Sequence, residues 1–354
     1  MKRTDTLAVA VVLLCAVIST SAQRRDFDLP FLVTIGDKYG FMDANCHMVI
    51  PPQYVEAMFF SEGLAAVKIG EKWGYIDEHG SLVIPPNFAG AWFFSDGLAS
   101  VKLDERSPLW GFIDRTGALV VQPQFGMPLR FSEGFVEGYG EKNKILNVPL
   151  GYMDKGGEYV VHLDEPGFEI EFLVEFSEGL ARVSMRPKHA DGSVGPSKYG
   201  YIDHSGKWVI PRSFARADDF HEGLAAVTSK DGKWGYIDKA GQFVILPRFE
   251  AAVAFSEGLA AVKMAGRWGW IGKNGEMVIA PTFEDEEVGA FRNGMALLVH
   301  NRKVGYINRK GEMVIPETLD SGSEFVDGVA VLKDRIGYKV INTSGSVTCT
   351  LSAQ

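Results

Sequence analysis

The chain is poor in the residues that most chemistry needs. Three cysteines occur in 354 residues, Cys15, Cys46 and Cys349, and no C-x-x-C pair is among them. Seven histidines (His47, His79, His162, His189, His204, His221 and His300) are scattered without a metal-binding spacing such as H-x-x-x-H. There is no nucleophile elbow and no phosphate loop. The one G-x-G, Gly138-Tyr139-Gly140, has no helix pattern behind it and does not read as a dinucleotide site. No stretch keeps a helical period. Positive charge is in deficit, with a net charge of −9, which excludes a general nucleic-acid binder. Past Ile18 no apolar run approaches the length of a membrane span.

The N-terminus reads as a targeting segment. Lys2 and Arg3 form a basic start, Leu7 to Ile18 is apolar, and Ser19-Thr20-Ser21-Ala22 supplies small residues for cleavage. This is the pattern of a secretory signal peptide over residues 1–22, with an uncleaved anchor as the alternative. Cys15 follows Leu14, where a lipidation box wants a small residue, so lipidation is disfavoured. Cleavage removes Lys2, Arg3 and Asp5 and takes the net charge from −9 to −10. Residues 23–30 read as a short linker. Residues 31–354 read as one domain, because a single unit runs from end to end.

That unit is about 34 residues long. Its clearest copies are KWGYIDEHGSLVIPPNFAGAWFFSDGLASV from Lys72, KWGYIDKAGQFVILPRFEAAVAFSEGLAAV from Lys233 and RWGWIGKNGEMVIAPTFEDEEVGAFRNGMALLV from Arg267. Aligning on the W/Y-G pair gives nine units, at Gly40, Gly74, Gly111, Gly151, Gly200, Gly235, Gly269, Gly305 and Gly337. Each reads as three short strands: Leu-Ala-x-Val, W-G-Y-I-D, and an apolar strand such as Leu82-Val83-Ile84. A glycine turn joins the last two, and Pro85-Pro86 ends the third. The connector P-P-x-F-x-x-A-x-x-F-S-E-G carries aromatics such as Phe249 and Phe255 that staple neighbouring sheets, since one small meander cannot bury a core alone. The tryptophans, Trp234 for example, are expected in that inter-repeat core rather than on a ligand platform.

W-G-Y-I-D, V-I-P-P-x-F and F-S-E-G-L-A together resemble the WG-repeat family of bacterial proteins, from Phe31 to roughly Cys349. The resemblance implies an all-β repeat fold and brings no catalytic residues with it. Two architectures fit. A propeller-like toroid is favoured slightly, because the long connector could cross from the outer edge of one sheet to the inner strand of the next. The Leu-Ala-x-Val strand, with its small residues, would then line the axis. An open β-solenoid is the rival, since the unit is short for a blade and the chain starts and ends in phase. Cys46 and Cys349 separate the two: a ring brings them together for a disulfide, and a solenoid holds them far apart. They do not occupy equivalent repeat positions, which weighs toward two unrelated cysteines.

Recurring carboxylates read as scaffold. Asp77, Asp114, Asp154, Asp203 and Asp238 follow the W-G strand where an Asx-type turn is expected. Glu62, Glu133, Glu178 and Glu257 sit in S-E-G, and Glu222 in the equivalent H-E-G, and all are expected to serve their own turns in the same way. His79 and His204 read as solvated. Departures from the repeat are more informative. The link between the Leu-Ala and W-G strands lengthens in three consecutive units, at Lys102–Leu109, Glu137–Pro149 and Ser184–Lys198. Insertions of this kind map to one face of a repeat protein, often its binding face. Arg182, Arg186, Lys188 and His189, with Tyr139, are the candidate ligand-face residues. The reading is an exported, non-enzymatic binding scaffold for a protein or glycan, with no cofactor and no metal. The alternatives are a carbohydrate- or peptide-active hydrolase or lyase on the same face, recognisable by an off-repeat carboxylate cluster in a cleft, and a structural envelope component.

Overall fold

A computed structural model describes residues 30–138, 151–163, 165–284, 287–333 and 337–352. These residues form nine small antiparallel sheets and contain no helix. The sheets follow one another round a ring as the blades of a nine-bladed β-propeller, at residues 31–54, 65–88, 90–125, 135–162, 168–214, 225–249, 251–283, 287–319 and 321–352.

The W-G glycine explains the shape of a blade. In the second blade Trp73 pairs with Phe88, but Tyr75 pairs with Ile84. Two residues on one strand thus face four on the other, and Pro85-Pro86 bulges over Gly74. A Cβ on Gly74 would lie 2.6 Å from the Ile84 carbonyl oxygen and 2.9 Å from Pro86 N. The same approach recurs at Gly40, Gly235 and Gly269, always against backbone that cannot rotate away. The ninth blade is the control. There Tyr338 pairs with Leu351 and Val340 with Cys349, two against two, and Thr-Cys-Thr stands in place of the prolines. Lys339, not Gly337, occupies the glycine register, opposite Leu332. Sequence alignment put the ninth glycine at Gly337; the pairing places it two residues too early. Without the bulge, no glycine is needed. Gly235→Ala is therefore expected to cost about 3 kcal/mol, the upper range for forcing a methyl into packed surroundings. Lys339→Gly should cost under about 1 kcal/mol. Urea unfolding of both variants checks this, and a neutral Gly235→Ala would refute the steric account.

The unit holds four strands where the sequence suggested three. The third, fifth, seventh, eighth and ninth sheets are four-stranded, and the added strand is the connector, Gly90–Ser95 in the third blade. In the second and sixth blades the bridges Ala57–Val67 and Ala217–Val227 hold the connector along the same edge. The innermost strand is thus the connector, and Leu-Ala-x-Val lies second. A chain of about 34 residues makes a blade because the crossing segment puts its own N–H and C=O groups into the ladder.

Blades adhere through an aromatic staple. Phe41, Tyr75, Phe112, Tyr152, Tyr201, Tyr236, Trp270 and Tyr306 share one repeat position, and each is 0% exposed. Each packs on the phenylalanine that opens the next blade, as Tyr236 does on Phe255 at 4.8 Å between ring centres. The tyrosine hydroxyls also donate to the next blade's inner strand, Tyr75 to the Trp92 carbonyl at 2.8 Å and Tyr236 to that of Val253 at 2.8 Å. Burial pushes these phenols well above their ordinary pKa. The tryptophans contribute less than expected: Trp73 is buried, whereas Trp234 and Trp268 are only partly so.

The ring closes between the ninth and first blades. Val33 and Met42 pack there against Tyr338 and Val340, and Thr34 N–H donates to the Tyr338 hydroxyl at 2.9 Å. Cys46 and Cys349 form a disulfide with their Cα atoms 5.8 Å apart. Their inequivalent repeat positions do not prevent it, because the bond joins a turn of one blade to the outer strand of its neighbour.

Candidate functional site

The antiparallel zigzag sorts the turns onto two faces. One face carries the S-E-G turns and the turns after W-G-Y-I-D. The other carries the links between the Leu-Ala and W-G strands.

On the first face the recurring carboxylates are structural. The Asp77 carboxylate accepts from the N–H groups of His79 at 3.0 Å and Ser81 at 2.8 Å, an Asx turn. Asp114, Asp154, Asp203 and Asp238 repeat it. The S-E-G glutamates do something else. Glu62 sits in the left-handed region at φ 53° and reaches the next blade, accepting from Gly97 N–H at 3.0 Å. Glu133 does the same to Gly179, Glu178 to Gly223, Glu222 to Gly258 and Glu257 to Gly294. A cation of that next blade completes each latch: Arg115 for Glu62, Lys239 for Glu178, Lys273 for Glu222 and Arg309 for Glu257. His204 takes this place against Glu133 at 3.0 Å and stacks on Phe135, so it is not a free solvated side chain. The expectation of a local turn fails whatever the side-chain length: Asp96, at the same left-handed position, likewise accepts from Gly134 N–H of the next blade at 2.6 Å.

On the second face the third, fourth and fifth blades differ from the rest. Most of the fourth blade's insertion, with Tyr139, lies outside the described residues. The fifth blade's insertion extends the sheet: strands Phe168–Ser177 and Leu180–Pro187 are its longest, and Lys188 bridges Val194 at the tip. The proposed ligand-face residues do not converge. Arg182 turns into the joint with the sixth blade, donating to Asp219 at 2.9 Å and to the Ala217 carbonyl at 2.6 Å. Arg186 lies 3.6 Å from Glu169 and 3.8 Å from Glu171. Lys188 and His189 are exposed at the hairpin tip. The two arginines are thus neutralised by carboxylates of the neighbouring strand and of the sixth blade's connector. Beside Arg182 a cavity of about 220 Å³ is lined by Phe172, Leu173, Val174, Ser184 and Tyr199.

Sequence reasoning missed Glu137. Strand pairing puts it in the fourth blade at the position of Ala66, Ala226 and Ala261 in other blades. The same position holds Ser100 in the third blade and Arg182 in the fifth. All three face the following blade. Ser100 is satisfied there, donating to the Leu129 carbonyl at 2.7 Å. Glu137 is 7% exposed, and its Oε2 has no hydrogen-bond partner among the described residues. Burial, reinforced by Glu175 and opposed by Arg130, pushes its carboxyl up to about 8. Arg130 is committed to Glu175 at 2.5 Å. At neutral pH Glu137 is therefore mostly the neutral acid. It is packed between blades and does not line the cavity. Among the described residues no three His, Cys, Asp or Glu side chains are grouped to hold a metal ion. Among the same residues no helix is long and apolar enough to cross a membrane.

Ring, blade count and latches define a repeat β-propeller. The chain belongs to the WG containing repeat family, whose pattern matches residues 39–73, 73–106, 110–137, 199–234, 234–268, 268–303 and 305–334. The unmatched stretches include the fourth blade, with its insertion, and most of the ninth, which lacks the glycine bulge. No curated protein matches the chain. A solved eukaryotic initiation factor shares the fold, with a TM-score of 0.63 and 14% identity over 90% of this chain and 95% of its own. The C-terminal WD40 domain of Sif2 matches at a TM-score of 0.39 and 10% identity, covering 89% of this chain and 84% of its own. An extracellular domain of the hybrid two-component system BT4673 from B. thetaiotaomicron matches at 0.31 and 10%, covering 91% and 53%.

Proposed function

We propose that the protein is an exported, non-enzymatic binding scaffold that presents a protein or glycan ligand to the link-bearing face of its third to fifth blades. One observation carries the reading. In a ring of near-copies, lengthened links, extended strands and polar side chains at an otherwise apolar position gather in three adjacent blades. Stacked repeats supply a rigid base for such a surface. Export accords with the N-terminal pattern and with a disulfide, which persists in oxidising compartments.

Replacing residues 188–197 by a tight turn tests the reading. Loop length costs little free energy, so the melting temperature should stay near that of the parent. Both proteins are then screened on glycan and peptide arrays. Ligands that bind the parent should lose most of their affinity for the shortened form. Ligands that bind both forms equally would reject this face.

A further inference from the structure

The outer strand of the ninth blade, Val347–Ser352, differs from every other strand on the rim. An outer strand shows a row of unpaired N–H and C=O groups, and proteins guard such edges with proline, charge, bulges or brevity. Seven of the other rims carry proline: Pro51-Pro52, Pro85-Pro86, Pro123, Pro211, Pro247, Pro281 and Pro316. Each also breaks register beside it. The fourth rim strand, Tyr159–His162, has only four residues and is bordered by Glu158 and Glu165. Val347–Ser352 lacks proline, charge and brevity, and its one register break lies at Thr348, near its start. It holds no proline, and no charged side chain occurs from Asn342 to Gln354. From Cys349 to Ser352 it pairs without a break. Val347 is 54% exposed, and Thr348, Thr350 and Ser352 are exposed. The disulfide at Cys349 fixes this edge against the first blade before any partner arrives.

We propose that this edge pairs antiparallel with the same edge of a second copy of the chain, making a two-fold dimer that joins two four-stranded blades into one continuous sheet. Two copies with a net charge of −9 repel one another over most of their surface, and this uncharged stretch is where they can meet. Antiparallel self-pairing sets β-branched residues opposite one another, a favourable cross-strand arrangement. It also satisfies the isologous geometry of a two-fold contact. A single strand edge is small by the standard of stable interfaces, so the dimer is weak.

Sedimentation velocity of the oxidised protein, over a concentration series reaching the upper micromolar range, tests the proposal. The parent should shift from monomer toward dimer as concentration rises. Thr350→Pro, and separately Thr348→Lys with Thr350→Lys, should each weaken association at least about tenfold. The lysine variant keeps every backbone donor and should melt like the parent, which separates loss of pairing from loss of fold. A parent that stays monomeric throughout overturns self-pairing, even if a strand from another protein is found to bind the edge. So does a dimer indifferent to the lysines, or one held by an intermolecular disulfide on non-reducing gels.

Discussion

Replacing Cys46 and Cys349 together by serine is expected to destabilise the ring by on the order of 5 kcal/mol. The bond spans 303 residues, and the chain-entropy account of cross-links gives a value of that size for so long a loop. In protein lacking residues 1–22, and with them Cys15, the double replacement leaves no stray thiol to confuse the measurement. Val33, Met42, Tyr338 and Val340 remain packed at the joint, so the folded ring should persist with its midpoint lowered. Chemical unfolding of parent and variant, both measured without reductant, gives the difference. A midpoint equal to the parent's would show that the apolar contact alone closes the ring and that the cross-link adds nothing.

The second large effect belongs to Glu137. Its folded pKa of about 8 lies above the ordinary carboxylate value of 4.5, so the folded state holds this proton more tightly than the unfolded state does. The favourable contribution is complete below the unfolded pKa and is lost as pH rises through the folded one. One proton contributes about 1.4 kcal/mol per pH unit, so the full decline is on the order of 3–5 kcal/mol by about pH 9. Glu137→Gln cannot ionise and should remove that slope. Urea midpoints for both proteins between about pH 5 and about pH 9 isolate the effect, because all other titrations are shared. Parallel curves would mean that Glu137 ionises freely in the fold.

Much of this architecture was legible because the physics repeats. The glycine of W-G, the proline pair and the aromatic spacing recur often enough to define an all-β unit and its nine copies, while ring and open solenoid both stayed open to the sequence. What stayed hidden depends on contacts between units. The connector reads as a segment crossing between sheets rather than as a strand; pairing with Leu-Ala-x-Val makes part of it a strand. The partner of Glu62 is Gly97, one blade further on, and no local pattern points there. Lys339 was misplaced because Gly337 is the nearest glycine in sequence, while only strand register shows that this blade lacks the bulge. Glu137 stands out once strand pairing aligns it with alanines. Arg182 and Arg186 read as a basic spot because Glu169 and Glu171 lie on the neighbouring strand and Asp219 in the next blade's connector.

The S-E-G latch always points the same way, from one blade to the blade that follows it in sequence. A unit therefore carries its own half of the fastening to its predecessor and its own half to its successor. Duplicating or deleting a whole unit inside the array would leave the S-E-G joints with both halves. A closed ring of different size would nevertheless need a new angle at every joint, so the blade count is held by all the joints together and sealed where Cys46 meets Cys349.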